Sequence, residues 1–279
     1  EKPDVIIGTT RMGAFVGVWA KLAKGVPLVV DHIDPIEQVR RNSNPLLAWS
    51  VAQAEKVSFR YADSVMVVYE EEVPRVAKYS NSVTKTSLGV EYRSFAEPSE
   101  ESVKEAEKIL SDHVTPEDNI LIYVGGLEPI YRLPVIFDAM DRLEDWQFIV
   151  LGDGSQRELV ENAAEEHDKI HYLGTVPHET IPGFMHHADV GISLVDDRNS
   201  LKVLEYGAGG LSVVHIRGDA EKLFRGMVEF CEPDPADVAR AVRAAHEAGP
   251  SDELRELTKK HSWEQIADEY ESVMLEVAN

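Results

Sequence analysis

Short apolar runs of strand length alternate with helix-length segments along most of this 279-residue chain. Residues 28–30, 119–124 and 146–151 are almost continuously apolar, which is typical of strands buried on both faces of a parallel sheet. Segments such as 11–24 have the length and composition of helices. Strand, helix and strand in this order form the βαβ unit. The sequence therefore predicts an α/β protein with parallel sheets.

The chain is long enough for two domains of ordinary size. Residues 98–117 are acidic and polar, contain a predicted helix over 100–110, and are the best candidate for the connection between domains. A helix is predicted over 46–57 with Trp49 and Ala52 facing inward. A last helix is predicted to end at residue 277. The apolar side chains on one of its faces are Trp263, Ile266, Tyr270 and Met274.

The formal net charge is −22, with 50 acidic residues against 28 lysines and arginines. Nucleic acids and anionic lipid surfaces attract basic patches, so this charge argues against both as partners. We interpret the acidic excess as adaptation to concentrated salt, as in a halophilic organism.

The single cysteine, Cys231, excludes an intramolecular disulfide and fits a reducing cytoplasm. It is predicted to end a strand and to be a structural thiol. No segment has the pattern of a signal peptide or a membrane span. We therefore expect a cytoplasmic protein, and peripheral contact with the inner membrane face stays open.

The stretch 196–214 combines a loop, a predicted helix over 201–208, a Gly-Gly pair and a short strand. Gly209 and Gly210 indicate the end of the helix, because glycine takes left-handed backbone angles without steric cost. Asn199 and Ser200 can cap its beginning and leave the first backbone amides free to hold an anion.

Two acidic residues flank that helix N-terminus: Glu205 lies one turn into the helix and Asp197 precedes it by eight residues. A phosphate site between two carboxylates suits a nucleotide sugar, with the diphosphate at the helix end and hydroxyls on the acids. The alternative is an ordinary strand–helix–strand crossover with two surface acids. Spacing alone does not separate the two.

This stretch resembles a motif of the retaining family-4 glycosyltransferases of the GT-B fold, also called glycosyl transferases group 1. Their pattern is P-x-K-x-x-E-Y-x-A-x-G-x-P-V-V, in which Ser212 here replaces the second proline and Asp197 replaces an upstream glutamate. The residues that keep the pattern are Lys202, Glu205, Tyr206, Ala208 and Gly210. Further segments that resemble the family are 63–68, 88–91, 152–154, 170–178 and 261–264.

The resemblance implies a GT-B-like protein with two Rossmann-like domains and no cofactor or metal. Residues 1–97 would be an incomplete, acceptor-side N-terminal domain, without the family's first strands. Residues 98–260 would bind the nucleotide-sugar donor, and 261–279 would form a helix that crosses back onto the N-terminal domain. The implied activity is that of a metal-independent hexosyltransferase, with a sugar or a lipid-linked molecule as acceptor.

The resemblance also assigns roles to single residues. Glu205 would bind the ribose, Lys202 and the amides of 200–202 the diphosphate, and Asp197 the sugar hydroxyls. On the acceptor side, His32 and Asp34 follow a strand and could point the same way, so that one of them orients or deprotonates the acceptor hydroxyl. The predicted donor-binding residues are Glu205, Lys202, Leu201, Ser200, Arg132, Gly125, Gly126, Gly152 and Gly154.

The chain departs from the family in the loop after strand 119–124. The usual V-G-R-L-x-x-x-K-G carries an arginine and a lysine that neutralise the donor diphosphate; here Gly126 and Tyr131 stand in their places. Loss of one such donor typically costs about two to three orders of magnitude in rate. Either Arg132 and Lys202 compensate, or the activity is weak. The second hypothesis is a non-catalytic protein on the same scaffold that binds a nucleotide sugar or a partner. Both hypotheses stay open at this point.

A metal site is not expected, because the adjacent His186 and His187 point to different helix faces.

Overall fold

The computed structural model describes residues 3–197 and 200–278, without the side chains of residues 41 and 42. The chain divides into two compact units. The first unit comprises the residues up to Gly89 together with those from Trp263 onward, and the second unit comprises Val90–Ser262.

The first unit begins with a four-stranded parallel sheet in the order β1-β2-β3-β4. Its strands are β1 (Ile6–Thr9), β2 (Leu28–His32), β3 (Ser64–Val67) and β4 (Val83–Lys85). Its helices are α1 (Thr10–Lys24), α2 (Ile36–Asn42), α3 (Pro45–Tyr61) and α4 (Val73–Val76), the last preceded by a 3₁₀ turn over Glu70–Glu72. The βαβ pattern is thus confirmed.

The second unit holds a six-stranded parallel sheet. Its strands are β5 (Asn119–Val124), β6 (Trp146–Leu151), β7 (Ile170–Gly174), β8 (Val190–Ser193), β9 (Ser212–Ile216) and β10 (Glu229–Cys231). Its first helices are α5 (Tyr92–Ala96), α6 (Glu100–Leu110), α7 (Leu133–Met140), α8 (Arg157–Glu166) and α9 (Ile181–His187). The remaining helices are α10 (Leu201–Ala208), α11 (Glu221–Phe224), α12 (Pro235–Ala248) and α13 (Asp252–Lys260). Two 3₁₀ turns cover Pro129–Tyr131 and His178–Thr180.

The strand order β10-β9-β8-β5-β6-β7 reverses direction between β5 and β8. The chain runs outward from β5 to β7, returns to β8 beside β5, and then continues to the other edge. Ligands of open α/β sheets bind at such a switch point, outside the carboxyl ends of the strands. The two neighbouring strands are paired only at Leu121↔Val190 and Ile122↔Gly191.

The core of the second unit covers both faces of this sheet. Leu121 and Tyr123 of β5 are buried on one face, while Ile120 and Ile122 are buried on the other. Burial on both faces explains why the strand is apolar without alternation.

The last helix, α14 (Trp263–Ala278), packs on the sheet of the first unit. Val273 is buried against Val29 and Met66. The Tyr270 hydroxyl donates a hydrogen bond of 2.6 Å to Asp31 Oδ1. This confirms the predicted return of the C-terminal helix. Of the four predicted apolar side chains on its face, Trp263 is the exception, because it is 54% exposed.

One orientation predicted for α3 is wrong. Trp49 is 63% exposed, and the buried side of the helix carries Ala48, Glu55, Ser58 and Phe59. Trp49 lies one helical step from that stripe. The apolar pattern of the helix does not reveal this stripe, because the residue at its centre, Glu55, is charged. Glu55 is buried only because two arginines pair with it.

The short helix α5 belongs to the second unit, where it packs against α10. The family resemblance implies instead that residues 90–97 belong to the N-terminal domain.

In the described ranges, no helix is both long and apolar enough to cross a bilayer.

Candidate functional site

Helix α10 is the first helix after β8 in the chain, and β8 borders the switch point of the larger sheet. Ser200 is its N-cap residue and is buried, but its hydroxyl makes no capping bond, contrary to the expected cap; Asn199 lies outside the described residues. No acidic residue lies in the first turn, and within the described part of the chain the amides of Leu201 and Lys202 have no acceptor. Such amides form an anion site at a helix N-terminus.

Tyr206 fixes the rotation of α10 on the sheet. Its hydroxyl accepts a hydrogen bond of 3.1 Å from the Val124 amide and lies 3.4 Å from the Ile192 carbonyl oxygen, so it bridges β5 and β8 where their pairing has stopped. Gly191 makes room for the ring: a Cβ there would lie 2.5 Å from the aromatic Cγ. At the other end of the helix only Gly210 is left-handed, with φ of 74°, whereas Gly209 keeps helical angles.

With α10 so fixed, Lys202 and Glu205 project from one face of its first two turns. Burial lowers the pKa of Lys202, while Glu205 and Asp197 oppose that shift. Burial raises the pKa of Glu205, which Lys202 and His178 oppose and Glu91 reinforces. Among the described residues, neither side chain has a hydrogen-bond or ion-pair partner. Two half-buried charged groups without partners are the usual signature of a ligand site.

The predicted glycines lie beside this pair at the carboxyl ends of β5 and β6. A Cβ at Gly125 would lie 2.5 Å from Lys202 Cε, so the lysine side chain packs directly over the glycine. Gly125 and Gly152 both have φ of 141°, and a Cβ at Gly152 would collide with the Gly125 carbonyl oxygen. A Cβ at Gly154 would lie 2.6 Å from the Leu127 amide. The ends of β5 and β6 can therefore approach each other this closely only because these positions are glycines.

Gly126 is different, because nothing in its surroundings requires a glycine. Its φ is ordinary, and the nearest atom to an added Cβ is Tyr131 Cε2 at 3.6 Å. Its carbonyl accepts a hydrogen bond of 2.5 Å from the Tyr123 hydroxyl. The position where the family has an arginine thus has space for a side chain.

Arg132, the predicted substitute for the missing cations, has a structural task. Its Nη1 donates hydrogen bonds to the carbonyl oxygens of Leu194, at 2.5 Å, and Ile130, at 3.3 Å. Its own backbone is left-handed, with φ of 52°. These bonds tie the turn after β5 to the end of β8. A contact between Arg132 and a phosphate stays a prediction.

Asp197 is exposed in the loop between β8 and α10, and its amide donates to the Val195 carbonyl at 3.0 Å. Its carboxylate is close enough to Lys202 and to the buried His215 to influence their pKa values. The structure thus brings Asp197, Lys202 and Glu205 into one charged neighbourhood around the start of α10.

In the first unit, the predicted acceptor residues differ in exposure. His32, the last residue of β2, is buried, and its Nε2 lies 3.0 Å from Glu72 Oε2 and 3.2 Å from Arg75 Nη2. Asp34 lies beyond the strand with its side chain 39% exposed, 3.5 Å from Arg11 Nη1. Of these two residues, Asp34 is the one that is accessible.

The sequence analysis missed Glu91 and His178 as neighbours of Glu205. Both residues lie in segments that resemble the family, His178 in 170–178 and Glu91 in 88–91, and that resemblance is the signal that could have found them. Over residues 3–197 and 200–278 no group of three His, Cys, Asp or Glu side chains could hold a metal ion.

Comparison with known proteins shows what this chain is similar to. Residues 118–247 match the model of the family described as Glycosyl transferases group 1. Two solved structures superpose on nearly the whole chain. An Anabaena protein, HepE, in complex with UDP has a TM-score of 0.74 at 16% identity, covering 96% of this chain and 79% of that one. Sucrose-phosphate synthase from Thermosynechococcus elongatus has a TM-score of 0.73 at 18% identity, covering 98% and 73%.

Two curated relatives are more similar in sequence. One phosphatidylinositol N-acetylglucosaminyltransferase subunit, from Arabidopsis thaliana, is 29% identical over 57% of this chain and 39% of its own length. A 2-deoxystreptamine N-acetyl-D-glucosaminyltransferase from Niallia circulans is 26% identical over 48% of this chain and 36% of its own. The chain therefore spans less than half the length of these relatives.

Two units with parallel sheets, and a site at the switch point of the larger sheet, define a protein of the GT-B fold. Residues 118–247, which lie within the second unit, are similar to the glycosyl transferases group 1 family.

Proposed function

We propose that this chain transfers a sugar from a nucleoside diphosphate sugar to an acceptor hydroxyl, with retention of the anomeric configuration. The observation that carries the proposal is the pair Lys202 and Glu205, which are half-buried at the start of α10 and have no hydrogen-bond or ion-pair partner among the described residues. A diphosphate and a ribose supply the partners that both groups lack.

In this proposal the donor binds along the first two turns of α10. The Glu205 carboxylate accepts hydrogen bonds from the ribose hydroxyls. The amides of Leu201 and Lys202, together with the Lys202 ammonium, bind the diphosphate. Asp197 accepts hydrogen bonds from the sugar. Gly125 and Gly152 permit the close approach of backbone to ligand.

The chemistry requires a cation where negative charge develops. As the bond between the anomeric carbon and the phosphate oxygen breaks, charge accumulates on the diphosphate, and Lys202 stabilises it. The acceptor oxygen bonds to the same face of the anomeric carbon, and its proton passes to the departing phosphate oxygen. Formation of the new bond on that face retains the configuration.

We extend the proposal to the two substrates. The solved relatives that contain UDP and UDP-glucose, together with the two N-acetylglucosaminyltransferases, favour a uridine diphosphate hexose as donor. On the acceptor side, the accessible carboxylate of Asp34 contacts a sugar or a lipid-linked sugar. His32 supports that region from inside, through its contacts with Glu72 and Arg75.

Thermal denaturation with UDP, GDP, ADP and dTDP tests the donor site. A ligand at a hundred times its dissociation constant adds about 2.7 kcal/mol to the free energy of unfolding, so one of the four should raise the melting temperature. Glu205→Ala should abolish the shift. Glu107→Ala, which removes an exposed carboxylate on α6, should keep it. If none of the four nucleotides shifts the transition, the proposal is wrong.

The absence of cations at Gly126 and Tyr131 favours a second candidate, a protein that binds the nucleotide sugar without turnover. The variant Gly126→Arg separates the two, because the position has room for the family's arginine. For a transferase, we expect Gly126→Arg to raise the rate of nucleotide release from the donor about a hundredfold. Binding without release, in both the wild type and Gly126→Arg, would support the non-catalytic candidate.

A further inference from the structure

The Lys202 ammonium is held by aromatic rings rather than by acids. Its Nζ lies 4.2 Å from the centre of the Tyr131 ring and 5.6 Å from that of Tyr123. The two rings lie 5.8 Å apart and are tilted by 59°. Cations within about 6 Å of an aromatic centre are attracted by the negative face of the ring. Both tyrosines therefore stabilise the ammonium without neutralising its charge.

Both rings are fixed by the surrounding backbone. Tyr123 is fully buried, and its hydroxyl donates to the Gly126 carbonyl oxygen at 2.5 Å. Tyr131 ends the 3₁₀ turn Pro129–Tyr131, and the next residue, Arg132, ties that turn to the Leu194 carbonyl oxygen. On the remaining side, Gly125 leaves the space that Lys202 Cε and Nζ occupy.

This arrangement explains a residue that otherwise contradicts the family pattern. Tyr131 stands where the family has a lysine that neutralises the diphosphate. Here the tyrosine brings no charge of its own but contacts the ammonium of a lysine from another element, α10. The loop lacks the cation at this position, and the residue that stands there instead contacts the Lys202 ammonium.

We propose that Tyr131 is a positioning residue, whose ring holds the Lys202 ammonium in place for the donor diphosphate. The role depends on the aromatic face and not on the hydroxyl. It rests on the proposed function for its ligand, but the contact between Tyr131 and Lys202 can be tested without any ligand.

The first experiment measures the contact itself in the full chain. The lysines are reductively methylated with a ¹³C label, and the Lys202 signal is assigned by its loss in Lys202→Arg. The ring current of Tyr131 should shift this signal upfield. Tyr131→Phe should keep the shift, and Tyr131→Leu should move the signal toward the ordinary lysine position. An unchanged Lys202 signal in Tyr131→Leu would overturn the proposal.

The second experiment measures binding by calorimetry with UDP and with uridine, which lacks the diphosphate. We expect Tyr131→Leu to weaken UDP binding about fivefold, while Tyr131→Phe stays within about twofold of the wild type. Uridine binding should not change in either variant. Equal losses in Tyr131→Phe and Tyr131→Leu, or an equal loss for uridine, would refute the positioning role.

The two experiments also separate this proposal from the function on which it rests. If the wild type binds no nucleoside diphosphate while the Lys202 signal responds to Tyr131→Leu, the proposed function fails and the contact stands without its proposed purpose. If UDP binds and Tyr131→Leu changes neither the signal nor the affinity, only the positioning role fails. Thermal melts of both variants verify folding, which is expected because Tyr131 is only half-buried.

Discussion

Each unit of this protein has a cluster of charged side chains near the carboxyl ends of its strands, and the two clusters differ in how their charges are satisfied. In the first unit, Glu55 pairs with Arg11 at 2.7 Å and with Arg75 at 2.9 Å. Glu72 pairs with Arg75 and with His32. In the second unit, Lys202 and Glu205 are close enough to shift each other's pKa values, yet neither has an ion-pair or hydrogen-bond partner among the described residues.

The pKa values of two glutamates show the consequence. For Glu72, burial opposes ionisation, but hydrogen bonds from His32 and Arg75 outweigh it and lower the pKa to about 2. For Glu205, burial dominates and raises the pKa. A buried charge that is paired on all sides contributes to folding, whereas a buried charge without a partner costs stability and is retained for a ligand. We therefore assign a structural role to the first cluster and propose a ligand-binding role for the second.

The largest change in the free energy of unfolding is expected for a substitution that breaks the first cluster. Glu55→Gln leaves Arg11 and Arg75 without their shared carboxylate, so we expect the free energy of unfolding to fall by about 3 kcal/mol. Urea denaturation measures the change. Glu37→Gln, which removes an exposed ion pair with Arg40, is the control and should cost less than about 0.5 kcal/mol. Equal effects of the two substitutions would contradict the structural role of the cluster.

The second prediction concerns the pH dependence of nucleotide binding. Because the pKa of Glu205 is raised, its carboxylate takes up a proton at a higher pH than an ordinary glutamate. Only the ionised form accepts two hydrogen bonds from a ribose, so UDP affinity should fall as the pH decreases through this raised pKa. Calorimetry between about pH 4 and 8 measures the profile. In Glu205→Gln the profile should flatten, and the affinity near neutral pH should be about tenfold lower.

The same shift has a consequence for stability. Between the ordinary pKa of glutamate and the raised value, the folded protein binds more protons than the unfolded chain. The contribution of Glu205 to stability therefore decreases as the pH rises through this window. A pH profile that is identical in the wild type and in Glu205→Gln would show that Glu205 is not the titrating group.

The smallest change in the free energy of unfolding is expected for a substitution of Lys202, the lysine of the second cluster. Lys202→Met removes a half-buried ammonium that has no ion-pair partner among the described residues, so we expect the free energy of unfolding to stay unchanged or to rise by less than about 1 kcal/mol. UDP binding should be lost in the same variant. A loss of stability comparable to that of Glu55→Gln would show that Lys202, too, belongs to the folding of its unit.

The sequence predicted the second unit better than the first. The bounds of β5, β6, α6 and α10 agree with the predictions. Both strands are buried on both faces, and a glycine directly follows β5, β6 and α10. Such signals lie within a few residues of each other. The salt adaptation inferred from the charge stays a prediction.

Several features that the sequence did not predict depend on contacts between residues that are distant in sequence. Glu55 is buried only because Arg11 and Arg75 meet it, and no local pattern announces such a group. Helix α13 was missed because Leu254 and Thr258 are its only buried side chains among the described residues. At the site, the motif predicted Lys202 and Glu205 together. The contact between Lys202 and Tyr131 joins helix α10 to the turn after β5, two elements that are 71 positions apart in sequence, so no local pattern predicts it.

The ring of Tyr206 over Gly191 has a consequence for changing the specificity of this protein. A methyl group at position 191 would occupy the space of the ring, so neither residue can be exchanged without the other. Because the Tyr206 hydroxyl also bonds to β5, a rotation of α10 would break the bridge between two strands. If the proposed donor site is correct, changes of donor preference are better sought in the turns that follow β5 and β6 than in a rotation of α10.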